Sequence, residues 1–264
     1  MKTIEGDVNL TELNFKEIPE ILKDVHIKGG FYIPYNRLRN LNNSPAKVDL
    51  IFNCSTNRIR NFVGGPKEVG QLQAIQCGLT SLEGFPKIVT SNNRYVKGRV
   101  DISHNNLTSL VGLPESIDGN LMIGSNPLKS LQGCSRSING DFEAFNTQIT
   151  SMIGGPEIIR GDCFLNETEL MSLEGFPRHI EGNLFIGDTP LWADLMKKTG
   201  SLTWSSYKVK QLLSDLLRSI KCTLDGDIYE DESDYDNAAE EMSDDDDDYE
   251  PDYEPDEFGR LRRV

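Results

Sequence analysis

The sequence predicts an α/β solenoid: short parallel strands stacked coil upon coil into a curved sheet, with an irregular convex side, a helical cap and a disordered acidic tail. Three observations predict it. Anchors recur at 21 residues, at Pro114, Ser135, Pro156 and Pro177. A β-branched or aliphatic residue stands three positions after each anchor, as Val48, Val69, Val89, Ile117, Ile138, Ile159 and Ile180 do. The composition then changes abruptly after Leu224 to Asp, Glu, Tyr, Ser and Pro.

From the N-terminus, residues 1–22 read as a cap, because Ile4, Gly6 and Val8 echo the spacing of Ile138, Gly140 and Phe142. Residues 23–191 read as the solenoid, about eight coils long. In each unit a Gly-Asn or Gly-Asp pair precedes an alternating apolar pair, such as Leu121 and Ile123 or Cys163 and Leu165. Period-two alternation over so short a run is a strand with one buried face. Next comes a polar side chain, Asn36, Asn57, Asn105 or Asn126, replaced elsewhere by Cys77, Thr147, Thr168 and Thr189. Its expected task is to satisfy backbone groups where the chain leaves the strand, each of which would cost about 1–3 kcal/mol if buried unpaired. Two more core residues follow, as Leu128 and Leu131 do, and then a Gly-x-Pro bends the chain back. A coil offers too few apolar side chains for a core of its own, so stability must come from stacking. An insertion around Ser91 to Val96 stretches one interval to 28 residues and is a second candidate for function.

The pattern LxxLxIxxNxL resembles leucine-rich repeats. Leu107 to Ile117, LTSLVGLPESI, is similar to the short repeats of bacterial LPxLP effector proteins. Leu79 to Pro86 (LTSLEGFP) and Ser137 to Phe142 (SINGDF) are closer to repeats of proteins encoded by large tailed bacteriophages. The resemblance covers about Ile4 to Leu191. It implies the fold and says little about function, since this scaffold hosts many partners.

Residues 192–224 read as a C-terminal helical cap. A short helix over Leu191 to Lys198 is stopped by Gly200, and a better one runs from Ser205 to Cys222 with Val209, Leu212, Leu213, Leu216, Leu217 and Ile220 at helical spacing. Residues 225–264 read as a disordered tail, because Asp225 to Glu257 holds 19 of the 42 acidic residues and neither Lys nor Arg. Two readings of this run stay open: a solubilising segment, or one that engages a basic surface. Arg260, Arg262 and Arg263 at the end are placed to fold back on the acids or to form a docking peptide.

Before Asp225, 23 acids face 24 bases, and this neutral body without a basic stripe argues against nucleic acid as a ligand. No apolar run is long enough for a signal peptide or a membrane span, so the expectation is a cytoplasmic protein. Cys54, Cys77, Cys134, Cys163 and Cys222 lack CxxC spacing and read as reduced apolar fillers. Neither HExxH, GxxxxGK[ST] nor GxSxG occurs, and His26, His104 and His179 lie in different coils, so no enzyme, metal or cofactor is expected. Effectors with similar repeats carry a ubiquitin-ligase domain with a Cys-x-Asp motif; Cys222 is followed by Thr-Leu-Asp and departs from it.

A protein partner remains. The repeat register places Tyr32, Asn53, Gln73, Asp101, Met122, Glu143, Phe164 and Phe185 along the concave sheet, flanked by Arg99, Asn120, Asp141, Asp162 and Asn183, with Phe145 just beyond its strand. Met122, Phe145, Phe164 and Phe185 form an expected apolar stripe with an acidic rim, as protein interfaces do. The alternative is that these side chains only pack against one another across the strands. Partner capture in an infected cell, a structural role in a virion, and inhibition of a nucleic-acid enzyme by the acidic tail are the functions that this reading leaves open.

Overall fold

The structure is a computed structural model that describes residues 1–90, 98–200 and 207–230, with the backbone of Tyr253–Pro255 and Leu261–Arg263. The chain divides into two units, Met1–Glu230 and Asp231–Val264.

The first unit is a parallel β-solenoid. Most coils contribute two short strands separated by a bend, the third and fourth a single longer strand each, Lys47–Asn53 and Glu68–Gln73, and each strand pairs with its equivalent one coil away. The main ladder runs Val8–Asn9, Phe31–Tyr32, the ends of Lys47–Asn53 and Glu68–Gln73, Gly98–Asp101, Gly119–Met122, Phe142–Glu143, Cys163–Phe164, Leu184–Phe185 and Ile228–Tyr229. Its register repeats the 21-residue period, Leu121 opposite Phe142, Phe142 opposite Cys163, and Cys163 opposite Leu184. A second ladder lies upstream in each coil, where an irregular return was expected. It pairs Ser116–Ile117 with Ser137–Ile138, then Ile158–Ile159, His179–Ile180 and Thr223–Leu224. The residue three positions after each anchor is buried here, Ile138 and Ile159 among them. The backbone groups beside a buried residue need partners, and the neighbouring coil supplies them.

Among the described residues the main ladder has ten rungs, eight within residues 23–191 and one at each end. The expected N-terminal cap is itself the first rung, with Thr3–Ile4 on His26–Ile27 and Val8–Asn9 on Phe31–Tyr32. The insertion at 91–97 lies outside the described residues.

One apolar core runs from Ile18 to Ile228, with Phe31 stacked on Phe52 at 5.7 Å in the early coils and Trp192 fully buried late in the chain. The Gly-x-Pro bends are possible because their glycines adopt positive φ, 81° at Gly154 and 75° at Gly175. A side chain at Gly175 would run into the Ile153 backbone of the previous coil.

Helix α1 (Pro190–Thr199) starts where the Thr189 hydroxyl accepts the Trp192 N–H at 3.1 Å and stops at Gly200 in the left-handed region. Helix α2 (Tyr207–Ser219) buries Val209, Leu213 and Leu217; the expected start at 205–206 lies outside the described residues, and Ile220 is exposed. The two helices do not terminate the stack. After α2 the chain returns to both ladders, Thr223–Leu224 on His179–Ile180 and Ile228–Tyr229 on Leu184–Phe185. The boundary expected at 224 therefore moves to 230. Leu184 N–H finds Asp227 O at 2.9 Å and Ile186 N–H finds Tyr229 O at 3.2 Å, which satisfies an edge that would otherwise stay open.

In the second unit Tyr253–Pro255 pairs antiparallel with Leu261–Arg263, with Glu254 opposite Arg262. The acidic run Asp244 to Asp248 lies outside the described residues.

Candidate binding face

The polar residue after each main strand organises the face by fixing where the chain turns away. In every coil from the second to the ninth the preceding residue is left-handed, for example Thr56 at φ 53°, His104 at 54° and Glu167 at 57°. The side chain that follows is buried and ties off the turn. Asn126 Oδ1 accepts the Leu107 N–H at 3.0 Å, while its amide donates to Ile102 O at 3.0 Å and to Ile123 O at 2.9 Å. Asn36, Asn57 and Asn105 repeat this arrangement, and Cys77 reaches Cys54 O with its thiol at 3.2 Å. Thr147, Thr168 and Thr189 donate only to the carbonyl three residues back, at 2.7–2.9 Å.

With the turns fixed, one row of side chains crosses the outer surface of the main sheet. The register sets Tyr32, Asn53, Gln73, Asp101, Met122, Glu143, Phe164 and Phe185 opposite one another in sequence. Asn9 and Tyr229 extend the row at its two ends. Tyr229 was missed, and its only signal was that Ile228 and Tyr229 interrupt an acidic stretch.

From Asn53 to Asp101 the row is polar and bonded to neighbouring side chains. Asn53 donates its amide to Gln73 Oε1 at 2.8 Å. Asp101 was expected to face a partner but is buried at 2% exposure. Arg99 Nη2 holds its carboxylate at 2.9 Å, and Ser103 donates both N–H at 3.2 Å and Oγ–H at 2.7 Å. Asp101 and Arg99 therefore form a structural pair; an unpaired carboxylate so placed would be costly. Burial pushes the Tyr32 phenol above its ordinary pKa, and the Asp7 carboxylate adds to the shift.

The second half is apolar, with a correction. Phe185 is not a free anchor: it is 2% exposed, stacked on Phe164 at 4.4 Å on one side and on Tyr229 at 5.5 Å on the other. Lys210 of α2 lies over the Tyr229 ring at 5.0 Å. The tenth rung covers Phe185, and no local pattern reveals that. Met122, Phe164 and Phe145 are half-buried, and the Phe145 ring lies against Gly124 of the preceding coil, where a side chain would collide with it. These three residues and Glu143 form the part of the stripe that still meets solvent.

Upstream of this row, Asn120, Asp141, Asp162 and Asn183 each accept the N–H of the equivalent residue in the next coil. The distances are 3.1, 3.0 and 2.7 Å to Asp141, Asp162 and Asn183, and 3.0 Å to Asp227. The glycine before each of them makes room: a Cβ on Gly161 would strike Asp141 Oδ1. These flanking residues hold coils together as well as facing outward.

The chain has five cysteines. All five are free, and burial pushes Cys134 up to about 12 and Cys222 up to about 11, with Cys54 and Cys163 raised too. A thiol that stays protonated at neutral pH is a poor nucleophile. His104 is exposed, His179 contacts the Thr223 hydroxyl at 2.5 Å, and His26 pairs with Asp49 at 2.9 Å. Among the described residues there is no group of three His, Cys, Asp or Glu side chains able to hold a metal, and no helix long and apolar enough to cross a membrane. The expectation of a body without a basic stripe needs revision, because coil stacking collects Arg37, Arg39, Arg58 and Arg60 on one flank. The chain matches no family model, and no curated protein matches it in sequence.

Proposed function

We propose that this chain is a non-catalytic binding protein of leucine-rich-repeat type, akin to those of tailed bacteriophages, that captures a protein partner in an infected cell. Met122, Phe145 and Phe164 are its anchors and Glu143 its acidic rim. One observation carries this reading. The polar residues of the outer row are bonded to neighbouring side chains, Asn53 to Gln73 and Asp101 to Arg99 and Ser103, whereas Met122 and Phe164 keep a half-exposed apolar surface. Half-exposed aromatics beside a polar rim are the usual anchors of protein interfaces, and strand stability does not require them to meet water.

The test is a photo-crosslinking residue at position 122, read out as a discrete adduct in cells that express the full chain, followed by affinity measurement with the captured protein. Phe164→Ala is expected to weaken binding by about 1–3 kcal/mol with the circular dichroism unchanged. Equal affinity of wild type and Phe164→Ala, or adducts absent at 122 but present on the second ladder, would remove this face from consideration. Phe185→Ala is a poor probe, since Phe185 is core and its loss destabilises the last rungs.

A further inference from the structure

Arg37 and Arg39 follow Asn36 in the second coil, and Arg58 and Arg60 follow Asn57 in the third. The coil period sets them in two pairs one rung apart, about 4.8 Å by strand spacing. All four are exposed, and none makes an ion pair among the described residues, although most other arginines of the first unit do. Arg39, Asn40, Asn42, Arg58, Arg60, Asn61 and Val63 line a groove of about 720 Å³ without a single carboxylate. It adjoins a cavity of about 480 Å³ where Lys16 and Arg37 join them and Glu17 is the only acid. The asparagines are oriented as donors: Asn40 Oδ1 accepts the Asn42 N–H at 3.0 Å and Asn61 Oδ1 accepts the Val63 N–H at 3.2 Å, which leaves their amide nitrogens pointing away from those bonds. Four uncompensated guanidinium groups so close together repel one another, and an anion between them relieves that repulsion.

We propose that this groove docks an acidic peptide segment of a partner protein, with carboxylates seated between Arg39, Arg58 and Arg60 and the Asn40 and Asn61 amides donating to its backbone carbonyls. Guanidinium groups take carboxylates through paired N–H donors, which suits a side chain or a backbone crossing two rungs. A nucleic acid fits less well. The cluster is two rungs deep, too short to track a phosphate backbone, and no aromatic residue lines the groove for bases to stack on. The site lies on coils two and three, and the apolar anchors lie on coils six to eight, so the two surfaces fail independently.

The experiment is fluorescence anisotropy of the full chain, and of the chain ended at Glu230 so that no copy of the probe is present in cis, with a labelled peptide bearing the acidic sequence of residues 240–257, at 50 and 300 mM salt. Saturable binding is expected, weakened several-fold at the higher salt. Arg39→Glu with Arg60→Glu is expected to weaken it by about tenfold or more, and Phe164→Ala to leave it unchanged. The milder pair Arg39→Gln with Arg60→Gln guards against misfolding and should show an intermediate loss. No binding by wild type, equal binding by both Arg variants, or tighter binding of a single-stranded DNA of equal charge would each overturn the assignment.

Discussion

Coils two to six are tied to their predecessors on the downstream flank of the main strands, whereas coils six to ten are tied together on the upstream flank. In the first group the bridge is Asn36, Asn57, Asn105 or Asn126, with Cys77 standing in once, and each reaches back into the preceding coil. In the second group threonine replaces asparagine and bonds only within its own coil, and Asn120, Asp141, Asp162 and Asn183 take over by accepting from the coil that follows. The sixth coil carries both devices, Asn126 pointing backward and Asn120 forward, and the first interface does too, since Asp7 Oδ1 accepts the Gly30 N–H at 2.7 Å beside the Asn36 bridge. Each interface between coils thus holds at least one side-chain bridge across the backbone. A one-dimensional stack has few contacts beyond nearest neighbours, so an interface without a bridge would be where it opens first.

This division of labour can be broken by substitution and chemical unfolding monitored by circular dichroism. The largest loss is expected for Asn126→Ala, which leaves the Leu107 N–H and two or three carbonyls buried without partners, about 3–5 kcal/mol. Next comes Asp162→Ala, which removes a charged acceptor from the Asn183 N–H at a half-exposed site, about 1–2 kcal/mol. Asp162→Asn should cost little, because Asn120 and Asn183 already do the same work with an amide oxygen. The smallest effect belongs to Thr168→Val, which deletes one bond within its own coil, about 1 kcal/mol. If Thr168→Val proves as costly as Asn126→Ala, the threonines also bridge coils and the contrast fails.

Much of the candidate face was legible in the sequence, because the outer row follows from period-two alternation within a 21-residue period. Both are local, and Tyr32 through Phe185 fall opposite one another as that arithmetic requires. Two members of the row were misjudged for the same reason. Asp101 is enclosed by Arg99 and Ser103, and Phe185 by a rung that returns 44 residues later, so their exposure depends on neighbours that no repeat announces. The arginine groove was missed because whole-body charge hides it: a neutral sum says nothing about where the charges fall once coils stack.

By itself, the sequence determined the coil length, which side chains look inward, and the polar residue that closes each turn, since all three are set within one coil by backbone geometry and hydrogen-bond demand. Only the tertiary structure decided where the stack ends, which row members stay wet, and how arginines 21 residues apart become one surface. Those outcomes depend on which coil lies beside which, and burial and charge density are properties of neighbours in space.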